Sequence, residues 1–404
     1  MAKADVAEEI TKGVELSIID LVDGLVEYAQ NARASDIHIE PEERRVRVRL
    51  RIDGVLHDSF VLPKEIHSEI ITRIKVLSGL RTDEHQAAQD GRFRLSFKKI
   101  GNIDVRVSIA PTYYGEDAVL RILAEKGEKM TFDLLGFIPK DRKKIDEALK
   151  KPFGMILATG PTGSGKTTSL YSFIKILNTP EISIITIEDP IEYSIQGIDQ
   201  IQVNPRTGLT FADGLRSILR QDPNVIMVGE IRDEETARIA VNAALTGHLL
   251  LSTLHTNDAP TTLPRLLDMK IEPFLIASTI NIALGQRLVR QICTDCKTKR
   301  PVTLEDMQSL SEALPKASLA RYTEFYYGVG CAKCNDTGYR GRIGIYEVLQ
   351  MDDDIRAAVI RKASAAEIRD IAVKNGMTTM IEDGLQKAMA GITTIEEILR
   401  VIHE

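Results

Sequence analysis

Tryptophan is absent from the 404 residues, and the aromatic residues together make up only 5%. So few aromatics argue against a surface built to stack nucleic-acid bases. Positive charge is not in excess either. The formal net charge is -6, which argues against general attraction to nucleic acid or anionic lipid, although a local basic patch stays compatible with it. No run is long and apolar enough to span a bilayer. The opening residues, Met1-Ala2-Lys3-Ala4-Asp5, lack the basic-then-apolar order of a signal peptide. These absences predict a cytoplasmic chain with no membrane insertion, recruited to a membrane only through partners, and no nucleic-acid ligand. Cysteine is scarce, at four. Disulfides are not expected in the cytoplasm, so the cysteine spacing needs another explanation. Internal repeats and low-complexity tracts are lacking as well.

What is present is ordinary for a globular chain: 43% hydrophobic and 27% charged residues. The length exceeds what one core organises, so two or three domains are expected. Ser17 to Ala34 reads as an amphipathic helix, with Ile18, Leu21, Val22, Leu25 and Val26 on its apolar face. Val46, Val48 and Leu50 alternate with arginines, the mark of a strand with one wet face. Asp53-Gly54 reads as a tight hairpin turn. A second helix is expected from Pro63 to Ser78, stopped by Gly79. Strands fit Arg92 to Phe97, Ile103 to Ile109 and Ala118 to Leu123. The result is a small α+β domain over residues 1–124, followed by a polar linker over 125–137.

Beyond the linker the pattern changes. Met155 to Ala158, Ile182 to Ile187, Val225 to Val228 and Leu249 to Leu254 are continuous apolar runs between helical stretches. Such strands imply a parallel sheet buried on both faces, the core of an α/β nucleotide-binding domain over 138–290. A cysteine-bearing subdomain is expected over 291–345. A helical one, with a break at Gly391, is expected over 346–404.

The segment Gly160-Pro161-Thr162-Gly163-Ser164-Gly165-Lys166-Thr167 matches the phosphate-loop pattern in full, and Thr168 continues it into a helix. Glycines let backbone amides turn toward phosphates, and the helix N-terminus adds positive potential. The pattern assigns Lys166 to the β- and γ-phosphates of ATP and the Thr167 hydroxyl to Mg²⁺. Val225 to Gly229 is an apolar strand ending in Glu230, a carboxylate placed to hold Mg²⁺ or its water. The Ile182 to Ile187 strand ends likewise at Glu188-Asp189, with Glu192 shortly after, and one of these could orient the attacking water. Either acidic segment alone reads equally well as a solvated turn; two behind one phosphate loop favour chemistry. His248 and His255 bracket the next strand, where a γ-phosphate sensor could sit, although a lone histidine is more often structural. Cys293-x-x-Cys296 and Cys331-x-x-Cys334 fit tetrahedral Zn²⁺, each pair supplying two thiolates. Redox-active dithiols or unliganded packing cysteines are the alternatives. The stretch between the pairs is longer than in common zinc ribbons, so it should contain structure of its own.

The phosphate loop, Ile187-Glu188-Asp189-Pro190-Ile191-Glu192, Gly229-Glu230-Ile231-Arg232-Asp233, and Thr246-Gly247-His248 to His255-Thr256-Asn257 resemble the four boxes of the type II secretion and type IV pilus ATPases. The resemblance runs from Ala34-Ser35-Asp36-Ile37-His38-Ile39-Glu40 to Gly341-Arg342-Ile343-Gly344-Ile345-Tyr346-Glu347. It implies a RecA-like ATPase core preceded by a small PAS-like domain and carrying a tetracysteine zinc-binding insertion. By residue, it makes Glu188 the catalytic glutamate, Glu230 the Mg²⁺-associated acid and His255 the γ-phosphate sensor. It makes Arg106 and Arg121 arginines that reach nucleotide between subunits, with Arg216 and Arg220 as a second pair. Bottom-up, Arg106 and Arg121 would read simply as exposed strand residues. The implied function is a homo-hexameric ATP-driven motor at the cytoplasmic face of the inner membrane. It would act on a platform protein to extend a pilus or a secretion pseudopilus. Retraction motors of the family typically lack the tetracysteine insertion, so the cysteines favour assembly. The chain starts almost directly at the second of the family's usual domains, which implies either a truncated chain or a short family member. A ring helicase or recombinase, and a nucleotide-regulated binding protein without turnover, are the readings from other classes.

Overall fold

The computed structural model describes residues 17–98, 100–123, 131–303 and 324–403. Residues 125–130 of the expected linker, and residues 304–323 between the cysteine pairs, lie outside the described residues. The chain divides into two compact units, Met1–Lys129 and Met130–Glu404.

The first unit is a six-stranded sheet in the order β3-β2-β1-β6-β5-β4, antiparallel throughout. Its strands are β1 (Ala34–Pro41), β2 (Arg45–Ile52), β3 (Val55–Pro63), β4 (Gln89–Phe97), β5 (Gly101–Thr112) and β6 (Gly115–Leu123). Helix α1 (Ile18–Asn31) starts where the Ser17 hydroxyl accepts from the Asp20 amide at 3.2 Å. It ends before the expected Ala34, because Arg33 turns left-handed at φ +61° and Ala34 already belongs to β1. Helix α2 (His67–Ser78) follows a 3₁₀ turn over Lys64–Ile66 and closes at Gly79, φ +66°. The two helices and one sheet face enclose Leu21, Leu25, Ile37, Val48, Ile70 and Val105. Alternation sends Arg45, Arg47, Arg49 and Arg51 of β2 to the other face.

The second unit holds a mixed seven-stranded sheet in the order β15-β12-β7-β11-β10-β8-β9. The strands β7 (Gly154–Thr159), β8 (Ile184–Glu188), β9 (Asp199–Gln202), β10 (Val225–Val228) and β11 (Leu249–Leu254) run parallel. Every residue of β7, β8, β10 and β11 is buried, as expected of strands covered on both faces. One layer packs Leu215, Ala237, Leu263 and Ile276 from helices α5 (Phe211–Ile218), α6 (Glu234–Leu245), α7 (Ala259–Asp268) and α8 (Pro273–Thr279). The other packs Ile145 of α3 (Pro139–Leu149) with Leu170, Phe173 and Ile174 of α4 (Lys166–Leu177).

Beyond β7, strand β12 (Ile280–Ile292) continues the sheet in parallel, and β15 (Tyr339–Gln350) pairs with β12 in antiparallel register. These strands run through positions 290 and 345, where subdomain boundaries were expected. The cysteine segment thus grows from the end of a ribbon that belongs to the ATPase sheet. Between β12 and β15 in sequence, β13 (Lys297–Pro301) and β14 (Glu324–Gly328) form a two-stranded antiparallel sheet. Helices α9 (Asp353–Ile360), α10 (Ala365–Lys374), α11 (Met380–Met389) and α12 (Ile395–His403) complete the unit, with Gly391 at φ +66° between the last two. The Glu397 carboxylate fastens α12 to β12, accepting from the Arg290 amide at 2.9 Å and the Arg290 guanidinium at 2.6 Å.

Candidate nucleotide site and cysteine cluster

The phosphate loop leaves β7 at Thr159 and enters α4 at Lys166. Gly160, at φ +146°, lies so close to β12 that an added Cβ would stand 2.5 Å from the Gln286 carbonyl oxygen. Any side chain there would push the loop off the strand. Lys166 is buried, and its ammonium donates to the Gly160 carbonyl at 2.7 Å and the Pro161 carbonyl at 3.0 Å. Burial pushes it down to about 8, against the pull of Glu230 and with help from Arg287. The Ser164 hydroxyl is buried without a hydrogen-bond partner among the described residues, which leaves a donor for a phosphate oxygen. Thr167 is exposed at the helix start, where a hydroxyl can ligate a cation held by phosphates. The residues present therefore fit a nucleotide with Mg²⁺.

Glu230 lies two residues past the end of β10, buried, and accepts from Arg232 Nε at 2.7 Å. Its Oε2 lies 3.0 Å from Nε2 of the exposed His255. The loop bearing His255 is tied to the phosphate-loop strand: Thr159 Oγ1 donates to the Thr256 carbonyl at 2.7 Å and accepts from the Thr256 amide at 3.0 Å. The structure thus brings Lys166, Glu230 and His255 to the same ends of neighbouring parallel strands. His248 is placed differently. Its Nδ1 lies 3.0 Å from the Ala243 carbonyl, where the ring closes the end of α6.

Glu188 ends β8 with 2% of its surface exposed. It accepts from Tyr171 Oη, from Thr186 Oγ1 at 2.6 Å and from Gln200 Nε2 at 3.2 Å. Burial raises its carboxyl above the usual range in spite of these donors. Glu192, four residues on, is exposed. Arg216 pairs with Asp213 at 3.3 Å and with Glu235, and Arg220 donates to the Arg216 carbonyl at 3.0 Å. Both are exposed, one at the end of α5 and the other just past it. Arg106 and Arg121 stand opposite each other on β5 and β6 of the first unit, where Arg121 Nε donates to Asp36 at 3.0 Å.

The four cysteine sulfurs lie within 4.8 Å of one another. Cys293 to Cys331 and Cys296 to Cys334 are both 3.9 Å, and Cys331 to Cys334 is 3.7 Å. Zn–S bonds of about 2.3 Å give a tetrahedral edge of roughly 3.8 Å, so the set has the size of a zinc site. Burial works to raise the Cys334 thiol, yet hydrogen bonds from the Cys331 and Gly338 amides bring it down to about 7. Those amides lie 3.2 and 3.3 Å from the sulfur, as donors that favour a thiolate.

Most of the groups that brace the loop and these acids were not singled out in the sequence. Gln286, Tyr171, Gln200 and Arg232 all belong to the site's hydrogen bonding, and none stands in a phosphate-loop or cysteine pattern. Arg232 alone had a signal, its place two residues after Glu230.

Strand-end chemistry of this kind marks the phosphate-loop ATPases, and this chain is one of them. Within that class it belongs to the Type II/IV secretion system protein family, which it matches over residues 12–400. It is 46% identical over 400 residues to the type IV pilus assembly ATPase PilB of Myxococcus xanthus, covering 99% of this chain and 69% of that protein. It is 47% identical over 389 residues to the type II secretion system protein E of Pectobacterium carotovorum, covering 96% and 76%. A crystal structure of the pilus retraction motor PilT with bound ADP superposes with a TM-score of 0.63 at 27% identity, covering 96% of this chain and 97% of that one. Among the described residues no helix is long and apolar enough to cross a membrane.

Proposed function

We propose that the chain is a subunit of a hexameric motor that hydrolyses ATP to extend a type IV pilus or a type II secretion pseudopilus. It would work at the cytoplasmic face of the inner membrane, held there by a platform protein. The observation that carries this reading is a complete phosphate loop beside the Glu230–His255 pair, in a chain 46% and 47% identical to pilus-assembly and secretion proteins. The cysteine set supports assembly over retraction.

In this reading the loop amides and Lys166 hold the phosphates, and Thr167 and Glu230 hold Mg²⁺, which neutralises charge on the β- and γ-phosphates. His255 senses the γ-phosphate through its contact with Glu230. Arg106, Arg121, Arg216 and Arg220 supply positive charge to a nucleotide held by a neighbouring subunit. Cys293, Cys296, Cys331 and Cys334 hold Zn²⁺. The enclosure of Glu188 supports a part in anchoring its segment, and the exposure of Glu192 supports water activation there. Glu188 acts as the base only if its three donors let go.

The test is ATP hydrolysis by the purified chain. Lys166→Ala should reduce turnover to background, a loss of about 10³-fold or more. Glu192→Gln should abolish turnover while Glu188→Gln keeps a measurable rate; the reverse result returns the catalytic role to Glu188. In cells, loss of the gene should remove pili or secretion. Cells that make pili but fail to retract them would overturn the assembly reading.

A further inference from the structure

Gln286 sits on β12 beside the phosphate loop with 1% of its surface exposed. Its Nε2 donates to the Ser164 carbonyl at 2.7 Å, and its Oε1 accepts from the Ser169 hydroxyl at 2.9 Å. The first bond fixes how the amide faces, since the flipped amide would set two acceptors against each other at the Ser164 carbonyl, and the Ser169 hydroxyl then holds the amide oxygen. One side chain therefore joins the loop to the first turns of α4.

A trans peptide is planar, with its C=O and the following N–H on opposite sides. Holding the Ser164 carbonyl toward β12 turns the Gly165 N–H the other way. In a phosphate loop the inward-turned amides are the ones that meet phosphate oxygens. Gly165, at φ +87°, allows the turn that follows. Gly160 rests on the backbone of the same Gln286, so the strand supports the loop at both of its ends.

We propose that Gln286 is a positioning residue for the nucleotide phosphates. It touches no nucleotide; it pins the Ser164–Gly165 peptide plane in the orientation that binds them. The proposal rests on the reading that this loop holds ATP. Asn281 of the same strand provides the control. It is a buried amide that donates to the Phe153 carbonyl at 3.0 Å and accepts from Lys151 at 3.1 Å, and so braces the far end of β7.

The experiment measures ADP affinity and melting temperature of the full chain for Gln286→Met, Ser169→Ala, Asn281→Leu and Lys166→Ala. Gln286→Met keeps the volume and removes both bonds; it is expected to weaken ADP binding by about tenfold. Ser169→Ala frees only the amide's rotation and should weaken binding about two- to threefold. Asn281→Leu should lower the melting temperature comparably, yet leave ADP affinity within about twofold of the parent. The proposal is overturned if Gln286→Met binds ADP like the parent, or if Asn281→Leu weakens binding as much. Should Gln286→Met fail to fold, an unchanged affinity in Ser169→Ala overturns it. If Lys166→Ala itself binds ADP like the parent, the phosphate-loop reading falls, which is a separate result.

Discussion

The two sheets of this molecule, one antiparallel and the other mainly parallel, place their polar groups in opposite ways. In the first unit one face is covered by helices, and the other carries rows of charge matched strand to strand, such as Arg47 with Asp58 and Arg94 with Asp104. In the second unit both faces are covered, and polar chemistry is driven to the strand ends, at Lys166, Glu188, Glu230 and His255. A face spreads its charges about one strand spacing apart, while a set of parallel strand ends converges them on one point. The face can therefore present charge to something large, and the ends can enclose something small.

That contrast can be broken by experiment. The largest expected effect is on the face: Arg106→Ala or Arg121→Ala should lower the rate of ATP hydrolysis by about 10³-fold and leave ADP binding intact. Loss of binding in equal measure would show that the face and the strand ends do not divide the work as described. Next in size is the cysteine cluster at the far end of the β12–β15 ribbon. Cys334→Ser should cost the protein its zinc by elemental analysis and lower the melting temperature of the larger unit by about 5–10 °C. A variant that keeps both unchanged would reduce the cluster to packing. The smallest effect is a pH dependence. Lys166 is held down to about 8, and only its ammonium form attracts phosphate. ADP affinity should thus be full below pH 7 and fall as pH rises through 8, by about tenfold between pH 7 and 9. A flat profile over that range would mean that burial at the strand ends does not depress the lysine.

Much of this was legible in the sequence because it is local. The phosphate loop, the two cysteine pairs and the apolar strands each lie within one short stretch. Periodicity located α1, and the Asp53-Gly54 turn needed only two residues, both at positive φ. What escaped was long-range. The Gln286–Ser164 bond closes over 122 residues, so no spacing could announce it. The polar residues of Leu284-Gly285-Gln286-Arg287-Leu288-Val289-Arg290 concealed β12 as a core strand, since they break both alternation and continuous apolar character. Glu188 shows the same distance effect. Its strand-end place made it one candidate to orient water and the family resemblance singled it out, while the partners that enclose it, Tyr171 and Gln200, come from α4 and β9.

Strand β12 runs without interruption from the support of the phosphate loop to the edge of the cysteine cluster at Cys293, which is fully buried. A thiol at that spot is a natural probe. Once a chelator has stripped any metal from the cluster, a maleimide reaches the Cys293 sulfur only when the end of the ribbon lets go, so the rate of alkylation reports how often the ATPase sheet frays at that edge. A chemist with a mass spectrometer could follow the opening of this sheet without supplying a single molecule of nucleotide.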